Sequence, residues 1–223
     1  MKISKVLQIN KGITSIIGAG GKTTLMLKFA LELASCGRVI ICTTTRIFPP
    51  ENITLIASNE VEDIEEAFMK TNVISISMGK DESGKLMPPG KPVSELLEYA
   101  DYVICEADGA KSLPLKAHNE NEPVIPDESN QVIVVIGIDG IGKPVKDVCH
   151  RPEIYARFAG VDEDSIVTPQ IAMQVINEEK LGTKILINKV ENEAQLRTAT
   201  EMSKYSTIPV IAGSLQKGEY VCL

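Results

Sequence analysis

Aromatic residues and histidines are scarce in this sequence. Its 223 residues include no tryptophan, five tyrosines, four phenylalanines and two histidines. Proteins that stack nucleic-acid bases need exposed aromatic side chains, and this composition offers few of them. The formal net charge of −7 also disfavours non-specific binding to a polyanion. The sequence therefore predicts that nucleic acid is not a partner.

Long apolar runs and paired cysteines are also missing. No run of about 18 apolar residues occurs, so we expect no membrane span and no membrane partner. Residues 1–5 lack the apolar core of a secretory signal, which predicts a cytoplasmic protein. The five cysteines form no C-x-x-C pair, so we expect small, buried thiols in a reducing compartment and no structural zinc.

The chain shows instead a regular alternation of short apolar runs and helix-like stretches. The predicted strands cover 13–17, 39–42, 53–57, 73–78, 102–105, 132–136, 184–187 and 210–212. The predicted helices cover 22–35, 61–70, 93–100, 152–159, 169–181 and 192–204. Alternation of this kind predicts one α/β domain over residues 1–223, with a mostly parallel sheet flanked by helices.

Two local signals refine this pattern. Apolar residues alternate with serines in VISISM, and the turn-rich stretch GKDESGKLMPPG follows. This predicts a hairpin or flap near residues 73–90, exposed at 81–84. Farther along the chain, Thr168 is suited to cap a helix, Pro169 to its first turn and Gly182 to its end.

The segment SIIGAGGKTTLML at residues 15–27 combines an apolar strand, a glycine-rich turn and an apolar helix. In a phosphate-binding loop, backbone N–H groups point at phosphate oxygens, a lysine reaches the β- and γ-phosphates, and a hydroxyl ligates Mg²⁺. All of these parts are present, which predicts a P-loop NTPase-like fold that binds ATP or GTP with Mg²⁺. The predicted nucleotide-binding residues of this loop are Gly18, Ala19, Gly20, Gly21, Lys22, Thr23 and Thr24.

The loop departs from the usual spacing G-x-x-x-x-G-K-[ST], which requires a glycine where this chain has Ile16. Ile16 belongs to the predicted strand, so the loop begins at Gly18 and is two residues shorter than usual. The shorter form resembles the loop of Mur-type ligases, which bind ATP, more than that of Ras-type GTPases. Residues 137–143 fit the usual spacing better, but Pro144 follows them in place of a hydroxyl residue, so we expect no triphosphate site there.

Two carboxylates follow the apolar strand in DYVICEADGAK. Glu106 and Asp108 lie where a Walker B carboxylate holds Mg²⁺, directly or through water. Because side chains alternate along an extended chain, both point to one face. We therefore predict Lys22, Asp108 and Glu106 as catalytic residues, and Thr23 with Asp108 or Glu106 as metal ligands. The pattern leaves open which carboxylate holds the metal.

Candidate substrate contacts follow two of the predicted strands. CTTTRIF places Thr45 and Arg46 after the second strand, where open α/β sheets bind ligands. Lys111 is predicted to bind an acidic substrate or to offset charge in a transition state. The same hypothesis applies to Lys116, and for both lysines a flexible, solvated side chain is the alternative.

A base-recognition motif is suggested by KILINKVEN. Asn188, Lys189 and Glu191 resemble the N-K-x-D motif of GTPases, in which an aspartate accepts two hydrogen bonds from guanine. The glutamate keeps the acceptor but adds a methylene group, so the sequence leaves ATP and GTP as alternatives. Since the sequence shows no partner for His118 or His150, both are interpreted as structural.

Five segments in order, GAGGKTT, TTTR, EADGAKSLPLKAH, HRPE and NKVE, resemble the YqeC family of selenium-dependent hydroxylase accessory proteins. EADGAKSLPLKAH is the most specific of them, and the resemblance covers nearly the whole chain. It implies a bacterial or archaeal accessory protein that assists the maturation of selenium-dependent molybdenum hydroxylases. The partners it implies are such a hydroxylase or its cofactor-maturation proteins. It brings no assigned reaction.

Three functional hypotheses remain. The first is a Mg²⁺-dependent nucleotidase that assists insertion or activation of a selenium or molybdenum cofactor in a partner. The second is a kinase or ATP-dependent ligase acting on a small acid, suggested by the short loop, Arg46 and Lys111, although the chain lacks room for the extra domains of such ligases. The third is a binding chaperone without turnover, suggested by the short loop and Glu191.

Overall fold

The computed structural model describes residues 1–223, with a nine-stranded main sheet and a separate two-stranded sheet. The strands are β1 (Gly12–Gly18), β2 (Val39–Thr43), β3 (Thr54–Ile56), β4 (Val73–Ile76), β5 (Tyr102–Glu106), β6 (Leu115–Lys116), β7 (Ser129–Gly137), β8 (Cys149–His150), β9 (Lys184–Asn188), β10 (Val210–Ser214) and β11 (Glu219–Cys222). The main sheet has the order β11-β10-β9-β7-β1-β5-β2-β4-β3, and only β11 runs antiparallel to its neighbour. The small sheet pairs β6 with β8.

Helices cover both faces of the main sheet. They are α1 (Ile3–Val6), α2 (Lys22–Leu33), α3 (Val61–Phe68), α4 (Val145–Val148), α5 (Pro152–Ala159), α6 (Pro169–Glu179) and α7 (Glu193–Ser203). Two 3₁₀ segments, Val93–Glu98 and Ile138–Gly140, complete the set. The first of these replaces the α-helix predicted at 93–100. The predicted α/β class, with a mostly parallel sheet flanked by helices, is confirmed.

The core lies on both sides of the main sheet. Ile17 packs into a cluster with side chains of α5, α6 and α7, including Tyr155 and Met173. The preceding residue, Ile16, points to the opposite face and packs with Leu25 and Phe29 of α2. Because side chains alternate along a strand, a strand covered on both faces must be apolar throughout. The continuous apolar runs of the sequence have this origin.

The segment predicted as a hairpin or flap contains one strand of the main sheet and one short turn. β4 ends at Ile76 and pairs in parallel with β2 and β3, so it is not one arm of a hairpin. Antiparallel pairing within the segment is confined to Lys80 and Leu86, where the Asp81 N–H donates to the Lys85 carbonyl over 2.8 Å. The predicted strand was therefore too long, and the turn is smaller than the pattern suggested.

Helix α6 begins as predicted and ends early. Thr168 accepts a hydrogen bond from the backbone of the first turn, and Pro169 is the first helical residue. The helix stops before residue 181 because Lys180 adopts a left-handed conformation with φ 53°. Gly182 has another role, since a Cβ atom there would lie 2.3 Å from a methyl carbon of Val134. Glycine lets this connection approach β7 closely.

The elements that the sequence did not predict are all short. They are α1, α4, β6, β8 and β11, and each has four residues or fewer. Such a length covers little more than one period of a helix or two of a strand, so no periodic pattern of apolar residues is visible. Two of these elements, β6 and β8, lie beside the candidate site described below.

Candidate nucleotide site

The loop between β1 and α2 presents a row of unpaired backbone donors. The N–H groups of four successive residues, Gly21, Lys22, Thr23 and Thr24, have no hydrogen-bond acceptor within the protein. The first turn of a helix leaves such groups free, and α2 begins at Lys22. The helix dipole adds partial positive charge at the same place. The loop is therefore suited to bind an anion such as a phosphate group.

Glycine is required in this loop by both conformation and space. Gly18, Gly20 and Gly21 have φ angles of 92°, 79° and 138°. A Cβ atom on Gly20 would lie 2.4 Å from the backbone nitrogen of Gly137 at the end of β7. Since β7 is the neighbour of β1, the loop lies against the end of that strand. Any larger residue at Gly20 would push the loop away.

The Lys22 side chain is buried beneath the loop and is 5% exposed. Its Nζ donates to the Gly18 carbonyl over 2.8 Å. The same atom lies 3.1 Å from Asp108 Oδ1 and 3.6 Å from Glu106 Oε1. The two carboxylates predicted as catalytic thus lie beside the ammonium group of the third predicted residue, Lys22.

Glu106 ends β5 and faces the first turn of α2. Its Oε2 accepts a hydrogen bond from the Thr23 hydroxyl over 2.8 Å. Burial raises the pKa of Glu106, while the Lys22 charge and the Thr23 hydrogen bond oppose the rise. A hydroxyl and a carboxylate are both hard oxygen donors of the kind that Mg²⁺ prefers, so this pair fits a magnesium ion beside the phosphate loop.

Asp108 is fully buried and its carboxylate is already engaged on several sides. Its Oδ2 accepts a hydrogen bond from the Gly18 N–H over 2.8 Å and lies 2.6 Å from His118 Nε2. Lys116 Nζ lies 3.3 Å from the same oxygen. Burial raises the pKa of Asp108, but the His118 hydrogen bond and the charges of Lys22 and Lys116 outweigh it and lower the pKa. Asp108 thereby links the start of the loop at Gly18 to the segment that carries Lys116 and His118.

His118 connects Asp108 to the end of α6. Its Nδ1 lies 3.0 Å from Glu179 Oε2, and its backbone N–H donates to Glu179 Oε1 over 2.7 Å. Burial lowers the pKa of His118, but the hydrogen bonds with the two carboxylates outweigh this and raise it. Glu179 lies 61 residues farther along the chain, so the sequence did not reveal the pair. The alternation of Lys116 and His118 on one face of an extended segment was the only local signal.

Of the three predicted substrate residues, two line the cleft and one does not. Arg46 lines the cleft above the phosphate loop, is 68% exposed and lies 3.5 Å from Asp81. Thr45 does not line the cleft, and its hydroxyl lies 3.2 Å from that of Thr43. Lys111 lines the cleft, is exposed and has no ion pair or hydrogen bond from its side chain. Lys116 differs from it completely, since its ammonium is fully buried in ion pairs and is not solvated.

The base-recognition candidates lie at the other end of the cleft. The Asn188 amide donates to the Gly20 carbonyl over 2.8 Å, and its oxygen accepts from the Leu215 N–H over 3.0 Å. Asn188 therefore braces the phosphate loop from below. Lys189 pairs with an aspartate, Asp139, over 2.8 Å. Glu191 accepts a hydrogen bond from the Ser214 hydroxyl over 2.9 Å, which holds its carboxylate at the cleft wall.

The cleft itself has a volume of about 1330 Å³ and runs along the carboxyl ends of the parallel strands. Its walls come from the phosphate loop, the segments after β2 and β5, the start of α5, and the turns after β9 and β10. Residues 137–143, which match the usual phosphate-loop spacing, do not line it. They form a 3₁₀ turn, and the helix that follows, α4, is one turn long.

Two further observations concern metals and membranes. No three side chains of histidine, cysteine, aspartate or glutamate are grouped as a ready-made metal centre. The magnesium fit at Thr23 and Glu106 rests instead on one hydroxyl and one carboxylate beside the candidate phosphate-binding loop. None of the helices is both long and apolar enough to cross a bilayer.

Comparison with known proteins identifies the family. A family model described as YqeC protein matches residues 14–153, more than half of the chain. The YqeC protein of Escherichia coli K12 is 33% identical over 161 residues, which cover 69% of this chain and 62% of that protein. The chain thus matches less than two thirds of that relative. Among solved structures, chloroplast FtsY from Physcomitrella patens aligns at 15% identity with a TM-score of 0.48, over 92% of this chain and 59% of that one. On the family match, this chain is a member of the YqeC family.

Proposed function

We propose that this protein binds a nucleoside triphosphate together with Mg²⁺ at residues 18–24 and hydrolyses it. The observation that carries the proposal is the row of four free N–H groups from Gly21 to Thr24 above the buried Lys22 ammonium. Backbone donors, a helix N-terminus and a lysine line the same part of the cleft, a combination that suits the β- and γ-phosphates. In this arrangement Gly18, Ala19 and Gly20 shape the loop.

Thr23 and Glu106 are the proposed magnesium ligands. Their oxygens lie 2.8 Å apart, which supports a shared role. Asp108 serves as a positioning residue in this proposal, because its Oδ2 is engaged by Gly18, His118 and Lys116. Its Oδ1 faces Lys22 at 3.1 Å. When bound, the ion supplies positive charge that neutralises phosphate oxygens during transfer. Lys22 supplies a second positive charge from the protein.

Asn188, Lys189 and Glu191 are proposed to border the base. Lys189 has a left-handed backbone with φ 66°, a conformation that suits a side chain held at a binding site. The pairing of Lys189 with Asp139 supports a fixed lysine stem along which a base can pack. Glu191 offers an acceptor to guanine, but the added methylene group keeps both ATP and GTP as candidates.

The biological role we propose is that of a cytoplasmic accessory protein. Nucleotide hydrolysis would assist the maturation of a selenium-dependent molybdenum hydroxylase, which is the role implied by the family resemblance. All five cysteines are free thiols, in keeping with a reducing compartment, but only Cys42, Cys105 and Cys149 are buried as predicted, whereas Cys36 and Cys222 are exposed. The partner would be the hydroxylase or one of its cofactor-maturation proteins.

A small-molecule kinase or ATP-dependent ligase is the second candidate. Sites for one small ligand usually measure about 300–1,000 Å³. The cleft of about 1330 Å³ is larger, so it has room for an acceptor beside the nucleotide, as a kinase or ligase requires. The free Lys111 side chain lies in the part of the cleft beyond the phosphate loop. With its acceptor present, a kinase would transfer the γ-phosphoryl group and release nucleoside diphosphate, and a ligase would release phosphate or diphosphate. Neither would turn over without the acceptor, whereas a nucleotidase would not need one.

Isothermal titration with ATP and GTP in the presence of Mg²⁺ tests the proposal. The parent should bind at least one of them, and Lys22→Ala should weaken binding by about tenfold or more, the effect expected of a hydrogen bond to a charged group. Lys28→Ala on the same helix serves as the control, since Lys28 makes no ion pair. Equal binding by the parent and Lys22→Ala would contradict the proposal. Binding without any phosphate release, with the hydroxylase present, would indicate a non-hydrolysing chaperone.

A further inference from the structure

The cleft continues past the phosphate loop to a second group of basic side chains. Lys111, His150 and Arg151 line this part, which lies between the segment after β5 and the start of α5. From the sequence, His150 was interpreted as structural, and Arg151 was not among the candidate site residues. Since the whole cleft exceeds the usual size of a single small-ligand site, this region has room for a second molecule.

The position of this group is fixed by the small sheet. β6 and β8 pair in parallel with Lys116 opposite His150, and the Ala117 N–H donates to the His150 carbonyl over 3.2 Å. Glu122 Oε2 then bridges Lys116 at 2.6 Å and Arg151 at 2.5 Å. The arginine is therefore held by a half-buried partner, and its own side chain is 19% exposed.

The same ion pairs connect this group to the phosphate loop. Lys116 contacts Asp108, whose other oxygen lies 3.1 Å from Lys22. A continuous chain of charges thus runs from Lys22 through Asp108, Lys116 and Glu122 to Arg151. A ligand bound at the arginine would lie at a fixed place relative to the phosphates of a nucleotide.

Several cations lie close together at this end of the cleft. Burial lowers the pKa of His150, and the charges of Lys116, Arg151 and Lys111 lower it further. Glu122 opposes them, and it is already engaged by two of the cations. The exposed Glu153 lines the same part of the cleft. Lys111 has no partner of its own. An oxyanion would complement the unpaired Lys111 side chain and the remaining Arg151 donors.

The backbone is strained at the same residues. Lys111, Ser112 and Arg151 have φ angles of 47°, 61° and 63°, which non-glycine residues rarely adopt. All three line the cleft. Such conformations cost roughly 1–3 kcal/mol each and concentrate at binding sites, where the surrounding structure enforces them.

We propose that Lys111, His150 and Arg151 form a second oxyanion subsite, which binds the phosphate or carboxylate group of a small second substrate beside the nucleotide. This inference rests on the proposed nucleotide function only for the identity of the neighbouring ligand. Arg151 supplies a planar pair of donors suited to either oxyanion, and Lys111 supplies a mobile charge at the cleft mouth. Neutral His150 supplies a further hydrogen-bond donor.

The test uses the full chain saturated with Mg²⁺ and a non-hydrolysable nucleoside triphosphate analogue, so that the phosphate loop is already filled. Inorganic phosphate and malonate are then titrated separately as the two oxyanion probes. The variants are Arg151→Gln and Lys111→Gln, and the second removes an exposed side chain without contacts, so its fold is not at risk. Arg157→Gln on the exposed face of the same helix removes the same charge outside the cleft.

At least one probe should bind the parent, and its affinity should fall by about tenfold or more in Arg151→Gln. Lys111→Gln should weaken it less, and Arg157→Gln should leave it unchanged. The tighter of the two probes identifies the oxyanion class. Failure of both probes to bind, or equal affinity in the parent and in both cleft variants, would overturn the subsite.

Failure of the nucleotide proposal can be distinguished from failure of the oxyanion subsite. If the analogue does not bind the parent, the same probes are titrated into Lys22→Ala without nucleotide, where the phosphate loop has lost its lysine. Binding that still depends on Arg151 would support the subsite and count only against the nucleotide site. Binding that is independent of Arg151 would overturn the subsite as well.

Discussion

The Thr23 hydroxyl donates a hydrogen bond to Glu106 over 2.8 Å, although the two residues are 83 positions apart in the chain. The contact exists because β1 and β5 are neighbours in the sheet, with Ile16 opposite Glu106. Asp108, two residues farther on, turns away from this pair toward Lys116 and His118. Two carboxylates that look equivalent in the sequence therefore have different surroundings.

We predict that Glu106→Gln abolishes most of the gain in nucleotide affinity that Mg²⁺ provides. An amide is a weaker magnesium ligand than a carboxylate and carries no charge. Asp108→Asn should keep that gain but destabilise the fold by about 3–5 kcal/mol, because buried cations lose their partner. Titrations with and without Mg²⁺, together with thermal unfolding, measure both effects. The opposite pattern would assign the metal to Asp108.

Gly20→Ala should destabilise the protein and abolish nucleotide binding. The new Cβ would lie 2.4 Å from the Gly137 nitrogen, in a backbone with φ 79°. Gly84→Ala is the matched control, since Gly84 has φ 80° and open space around it. The control should cost only the conformational strain of about 1–2 kcal/mol. Equal losses in thermal stability for the two variants would show that the approach to β7 does not matter.

Asn188→Ala should lower the affinities for ATP and GTP by the same factor. The side chain braces the Gly20 carbonyl and the Leu215 N–H, so its loss loosens the phosphate loop whatever the base. Glu191→Gln should instead change the ratio of the two affinities, because it removes an acceptor at the proposed base site. Competition titrations measure the ratio.

Glu193→Gln is the control for the base prediction. Its side chain is 93% exposed on the first turn of α7, so neither affinity should respond. A changed ratio in Asn188→Ala, or an unchanged one in Glu191→Gln, would contradict the assigned roles.

The two histidines should give opposite pH dependences of stability. The pKa of His118 is raised by its two carboxylate partners against the effect of burial, so its stabilisation is complete below the unfolded pKa of about 6.5. That stabilisation is lost as the pH rises through the folded value. The pKa of His150 is lowered by burial and nearby cations, so protonation costs stability as the pH falls below about 6.5.

Thermal unfolding of His118→Gln and His150→Gln across this range measures the two contributions. The difference in free energy of unfolding between the parent and His118→Gln should shrink as the pH rises. The difference for His150→Gln should shrink as the pH falls. Parallel slopes for the two variants would refute the environments described for them.

The phosphate loop could be predicted because its determinants are local. Strand, glycine turn and helix follow one another within residues 15–27, and each leaves a pattern in the sequence. Ile16 illustrates this, since it lies in β1 and packs against α2, which explains why the usual first glycine is missing. The candidate residues at β5 and β9 were found for the same reason, because they follow apolar strands.

The partners of these residues were not predictable. Glu179 reaches His118 from α6, and Glu122 joins Lys116 to Arg151 through a two-residue sheet. Neither contact corresponds to a periodic pattern or a fixed motif spacing in the sequence. The sequence interpretation of Thr45 as a substrate contact also depended on position alone, and the structure keeps this side chain off the cleft wall.

The sequence by itself determined the α/β class, the glycine-rich turn between β1 and α2 and the position of the two carboxylates at the end of β5, because apolar periodicity and turn chemistry are set by neighbouring residues. Only the tertiary structure decided which carboxylate faces Thr23 and which is enclosed by cations. That distinction depends on strand order and on side chains that arrive from distant segments. Electrostatic environment is a property of this packing, and a linear pattern of residues does not contain it.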